Sequence, residues 1–98
     1  MPLTSKQRAR LRSLAAAEDT NLFIGKNGIT ENTIAEADRA LEARELIKGK
    51  VLESALLSAR EACDSLAEAC GAEPVQAIGS KFVLYRRRRK NPGISLQG

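Results

Sequence analysis

Two capping-box patterns constrain what this chain can fold into: Thr4 with Gln7, and Ser58 with Glu61. In each, a hydroxyl three residues ahead of a Gln or Glu satisfies amides that a first helical turn leaves open, so each pair fixes a helix start. Thr30 supplies a third N-cap. The first helix is predicted over residues 5–17, with Leu11, Leu14 and Ala15 as a narrow apolar stripe. The second covers 31–44, with Ile34, Ala37 and Leu41 on its inner face. The third runs from Ser58 to a C′ glycine at Gly71 and buries Ala59, Ala62, Cys63, Leu66 and Cys70.

Strand patterns fill the gaps. Residues 21–24 read as a short buried strand ending at Gly25. Residues 46–53 alternate, with Ile47, Gly49 and Val51 pointing one way and Lys48 and Lys50 the other, as on a sheet with one covered and one wet face. Pro74 permits a strand start, so 75–78 is a third strand, joined through a type II′ turn at Gly79 and Ser80 to a fourth over 81–86. Two strand–helix–strand crossovers favour parallel pairing, while the final hairpin is antiparallel. The expected fold is a two-layer α/β domain of order αβαβαββ, with a mixed four-stranded sheet. Apolar residues are 43% of the chain but aromatics only 3%, so the core must be aliphatic.

Charge is segregated. Residues 1–12 carry +4 and no acid, 81–98 carry +6, and 13–80 carry −6. Basic ends around an acidic middle point to a polyanionic partner. In the first helix Lys6 and Arg10 lie four apart on one rim of the stripe, and Arg8 and Arg12 on the other. Like charges at that spacing repel by about 0.2–0.5 kcal/mol per pair, a conflict that bound phosphates remove. Arg86, Arg87, Arg88, Arg89 and Lys90 form a second run, and Lys48, Lys50 and Lys81 extend the patch over the sheet unless Glu45 or Glu53 neutralises them.

Gly25, Lys26, Asn27 and Gly28 sit where a strand feeds a helix. Glycines there admit a sugar-phosphate backbone close to the main chain, and Lys26 adds a full charge. A Gly-x-x-Gly loop serves that purpose in KH domains, although a plain strand-to-helix turn has the same spacing. Phe23 and Tyr85 could stack on bases, but with aromatics so scarce in the chain both are assigned to packing. With no His and no carboxylate cluster at ligand spacing, the sequence offers neither a catalytic constellation nor a metal or cofactor site. Cys63 and Cys70 lie about 10 Å apart along one helix, too far for a disulfide, and read as core thiols in a reducing compartment. No apolar run has the length of a membrane span and no signal-peptide pattern opens the chain, so the expected location is cytoplasmic.

Four stretches together carry a family resemblance: Leu3-Thr4-Ser5-Lys6-Gln7-Arg8, then Ile24-Gly25-Lys26-Asn27-Gly28-Ile29-Thr30-Glu31-Asn32, then Ala40-Leu41-Glu42-Ala43-Arg44-Glu45-Leu46-Ile47-Lys48, and Ile78-Gly79-Ser80-Lys81-Phe82-Val83-Leu84-Tyr85-Arg86. In this order they resemble the CRM (chloroplast RNA splicing and ribosome maturation) domain, above all its stand-alone bacterial YhbY-type members. The resemblance spans 3–86 and leaves 87–98 as a basic, flexible tail to which no family role transfers. It implies a fold like the C-terminal domain of translation initiation factor three, RNA contact through Gly25, Lys26, Asn27 and Gly28, and association with large-subunit ribosomal RNA or pre-ribosomal particles. The expected function is assistance of ribosome assembly by a non-enzymatic RNA-binding protein. An intron-splicing cofactor and an adaptor docked by its polybasic tail at a membrane or protein surface are the alternatives.

Overall fold

The computed structural model describes residues 3–88 and 93–94. Its elements run α1 (Ser5–Ala15), β1 (Leu22–Ile24), α2 (Glu31–Arg44), β2 (Leu46–Val51), α3 (Ala59–Cys70), β3 (Glu73–Ile78) and β4 (Lys81–Tyr85). Both predicted capping boxes form: Gln7 N–H donates to Thr4 Oγ1 at 3.1 Å, and Glu61 N–H to Ser58 Oγ at 3.1 Å. α2 has a box that the sequence pattern hides, because Thr33 takes the place of the usual Gln or Glu. α3 ends at Gly71 in the left-handed region, as a C′ glycine requires.

The sheet order is β1-β2-β4-β3, with β1 parallel to β2 and β4 antiparallel to both of its neighbours. The crossover through α3 therefore skips one position, and the hairpin folds β4 back into the gap. The mixed four-stranded sheet and the element order are those expected. The placing of α1 differs. α2 and α3 cover one face, where Leu22, Ile24, Ile47, Val51, Phe82 and Leu84 form the main core with Leu41, Ala62 and Leu66. On the opposite face, Leu11 and Ala15 of α1 pack on Leu46, Val75, Val83 and Tyr85. The two-layer reading is amended accordingly: β2 and β4 carry apolar residues on both faces at their Leu46/Tyr85 end, and the narrow stripe of α1 suffices to cover that end alone.

Gly49 faces the main core and pairs with Phe82, whose ring occupies the space where a side chain on Gly49 would stand. Both cysteines are free and buried on α3. Burial, helped by the neighbouring Asp64 charge, pushes the Cys63 thiol up to about 11, so it stays protonated and behaves as a core residue. Among the described residues, no helix is long and apolar enough to cross a membrane.

Candidate nucleic-acid interface

The 25–28 segment is a hydrogen-bonded turn: Gly28 N–H donates to Gly25 C=O at 3.0 Å, which leaves Lys26 and Asn27 at its exposed tip. Gly28 has φ +67°, a conformation that L side chains rarely adopt, and open space beside it. From this turn the chain passes through Ile29 into the Thr30 cap of α2. Among the described residues no ion pair engages Lys26.

The strand register carries that charge onto the sheet. Phe23 is opposite Lys50, Lys50 opposite Lys81, and Lys81 opposite Ile78. Opposed residues point to the same face, so one row crosses all four strands on the side that α1 leaves open. The row lies at the end of the sheet from which the 25–28 turn leaves. Beside it, Arg12 and Ala15 of α1 face Lys48, Ile78 and Lys81 across a groove of 340 Å³. Lys48 Nζ also donates to Ala15 C=O at 3.3 Å, closing the C-terminus of α1. Neither Glu45 nor Glu53 forms an ion pair with Lys48, Lys50 or Lys81 among the described residues. Of the first-helix cations, Arg12 thus joins the sheet lysines. Arg8 lines a second groove of 260 Å³ with Arg60 and Asp64, and Lys6 and Arg10 are exposed on α1.

The described part of the C-terminal run, Arg86 to Arg88, does not form one patch with the loop. Arg86 follows the far end of β4, about 17 Å along the strand from Lys81. Arg86 corrects the reading from charge alone. Its guanidinium bonds Asp38 Oδ1 at 2.6 Å and the Cys70 carbonyl at 2.9 Å, with Glu42 at 3.5 Å, so it ties α2 to the end of α3. Arg88 likewise turns inward to the Ala43 carbonyl at 2.9 Å. Arg87, between them, is exposed, while Arg89 and Lys90 lie outside the described residues. Within the segment expected to be a flexible tail, Ile94 packs on the second core cluster with Leu3.

At two residues of consequence the structure departs from the role the sequence favours. Phe23 is 55% exposed rather than packed. A three-residue apolar strand is too short to reveal which side chain faces away from the core. Glu45, between α2 and β2, is 1% exposed and has φ +66°, a conformation glycine usually supplies. Its carboxylate accepts the amides of Arg88 at 3.1 Å, Ile94 at 3.1 Å and Gly93. The only signal for it was a carboxylate where a helix C′ position usually has glycine. Burial alone raises the Glu45 carboxyl, but the amides of Gly93, Arg88 and Ile94, with the Arg88 cation, outweigh burial and hold it below its ordinary value. A depressed acid stabilises the fold above its unfolded value, near 4.5, and this contribution is lost as pH falls through the lower folded value. Glu45→Gln is therefore expected to flatten the pH dependence of stability below pH about 4.5 and to lower stability at neutral pH by about 2 kcal/mol. Urea denaturation across pH 3–7 checks both.

Known proteins are similar to this chain in sequence and in fold. A Bacillus subtilis protein described as a probable RNA-binding protein is 37% identical over 96% of this chain and 98% of its own length. A Pseudomonas aeruginosa protein of the same description is 33% identical over 92% of this chain and 86% of its own. The solution structure of a hypothetical Staphylococcus aureus protein, provisionally described as RNA binding, superposes with a TM-score of 0.81 at 46% identity, covering 97% of this chain and 99% of that one. The sequence profile of the CRS1 / YhbY (CRM) domain matches residues 3–86, which span every helix and strand as well as the 25–28 turn. With near full-length relatives and one shared fold, the chain is a member of the CRM domain family.

Proposed function

We propose that this protein binds RNA, that its target is large-subunit ribosomal RNA in precursor particles in the cytoplasm, and that it assists their assembly without catalysing a reaction. The observation that carries the reading is the exposed Gly25-Lys26-Asn27-Gly28 turn, at the same end of the domain as Lys50 and Lys81. Relatives described as probable RNA-binding proteins support the RNA part. In this mechanism Lys26 and the turn's Asn27 engage the sugar-phosphate backbone, and Arg12, Lys48, Lys50 and Lys81 follow it over the sheet. Each phosphate neutralised releases counterions, so affinity falls steeply with salt. Lys6, Arg8, Arg10 and Arg87 add to the field that draws RNA in.

Sedimentation of a lysate through sucrose gradients at low and high salt tests the ribosomal part. The expected result is salt-sensitive co-migration with immature large-subunit particles. Protein confined to the top of the gradient at low salt would contradict it.

A further inference from the structure

Resting on the RNA-binding reading above, we infer that the open end of the sheet is a stacking platform for unpaired nucleotides, with Phe23 receiving a base and Lys50 and Lys81 holding the flanking phosphates. The row Phe23, Lys50, Lys81, Ile78 is fixed by backbone pairing in all four strands, so its members cannot drift apart as loop residues can. It spans three inter-strand spacings, about 14 Å. At its two ends stand the largest apolar side chains the sheet exposes, Phe23 at 55% and Ile78 at 67%, with two lysines between them.

Packing does not account for this arrangement. Leu22 and Ile24, on either side of Phe23, are buried in the main core, so a polar residue at 23 would satisfy the alternation of β1 equally well. The chain has only three aromatic residues, and this one is turned to solvent beside a cation. The chemistry selects the occupant. Lys48, Lys50, Lys81 and Arg12 surround the apolar positions, and on this face the strands carry one acid, Glu73, at the far end opposite Tyr85. An apolar peptide would find two lysine cations, without an ion pair among the described residues, at the centre of its site, whereas single-stranded RNA offers a flat π-face for Phe23 and phosphates for the lysines. A duplex hides its bases and cannot stack there, so the platform discriminates by strandedness and not by sequence. The 25–28 turn leaves β1 immediately after this row, so one strand of RNA can run from Lys26 onto the sheet.

The test uses the whole chain, single-stranded oligouridine and a duplex RNA of equal length. Phe23→Ala is expected to weaken oligouridine binding about five- to a hundredfold and to leave duplex binding within about twofold. Phe23 is exposed, so Phe23→Ala leaves the core packing in place, and Phe23→Trp supplies an independent readout, since the chain has no tryptophan. Its indole fluorescence is expected to be quenched as oligouridine saturates the protein, with affinity at least equal to that of the parent. Unchanged oligouridine affinity in Phe23→Ala, with an indole silent to RNA, would overturn the platform while leaving RNA binding intact. Failure of the parent to bind either RNA would instead refute the underlying reading. An indole that responds to anionic lipid vesicles and not to RNA would assign the face to a membrane and overturn the proposal.

Discussion

Gly49→Ala is expected to destabilise the domain by about 3 kcal/mol, lowering its melting temperature by about 12 to 24 °C. A Cβ at Gly49 would lie 2.2 Å from Phe82 Cζ and 2.7 Å from both Cε atoms. No neighbour can give way cheaply, because Phe82 is 1% exposed and sits among Ile47, Leu66 and Leu84 in the main core. Replacing glycine in a strand ordinarily helps by about 0.5–1 kcal/mol through the unfolded state, but the ring overlap reverses the sign. The cause is checkable in a double variant. Phe82→Leu removes the ring, so the two substitutions together should cost at least about 1 kcal/mol less than the sum of their separate effects. Thermal and urea denaturation of the four proteins measure it, and strict additivity would show that the glycine is needed for another reason.

Lys26→Glu is expected to weaken RNA binding about 10- to 100-fold, the range of losing one charge-assisted contact of about 1.5–3 kcal/mol. Stability should stay within about 0.5 kcal/mol, because Lys26 is exposed and has no ion pair among the described residues to lose. The salt dependence carries a second signature: the slope of log affinity against log salt should fall by about 0.7 to 0.9 for the phosphate contact removed. Binding isotherms at several salt concentrations, with melting curves on the same samples, check the three expectations. Equal affinity in mutant and parent would remove the turn from the interface.

What the sequence made legible was local. Thr4, Thr30 and Ser58 announced the helix starts because capping chemistry acts within four residues. The alternation of Ile47, Gly49 and Val51 against Lys48 and Lys50 survived into the structure, since a strand's side-chain period is fixed by its backbone. The insertion of β4 between β2 and β3, and the position of α1 on the second face, depend on contacts between distant segments and left no short-range mark. The same limit explains Arg86 and Glu45. Five consecutive cations look alike in a sequence, yet Arg86 and Arg88 are bound to the ends of α2 and α3 because the chain leaves β4 beside those carbonyls and acids. Phe23 was misplaced because Leu22-Phe23-Ile24 is uniformly apolar, and only the pairing of β1 with β2 shows which side faces water.

Ultraviolet cross-linking of the intact protein to RNA, followed by mass spectrometry of the cross-linked peptides, tests the central claim most directly, because it locates the interface without altering it. The result expected is cross-linked nucleotides on the segment from Phe23 to Gly28 and on the peptides bearing Lys50 and Lys81. Cross-links confined to the outer faces of α2 and α3, with none on the turn or the open sheet, would contradict the account.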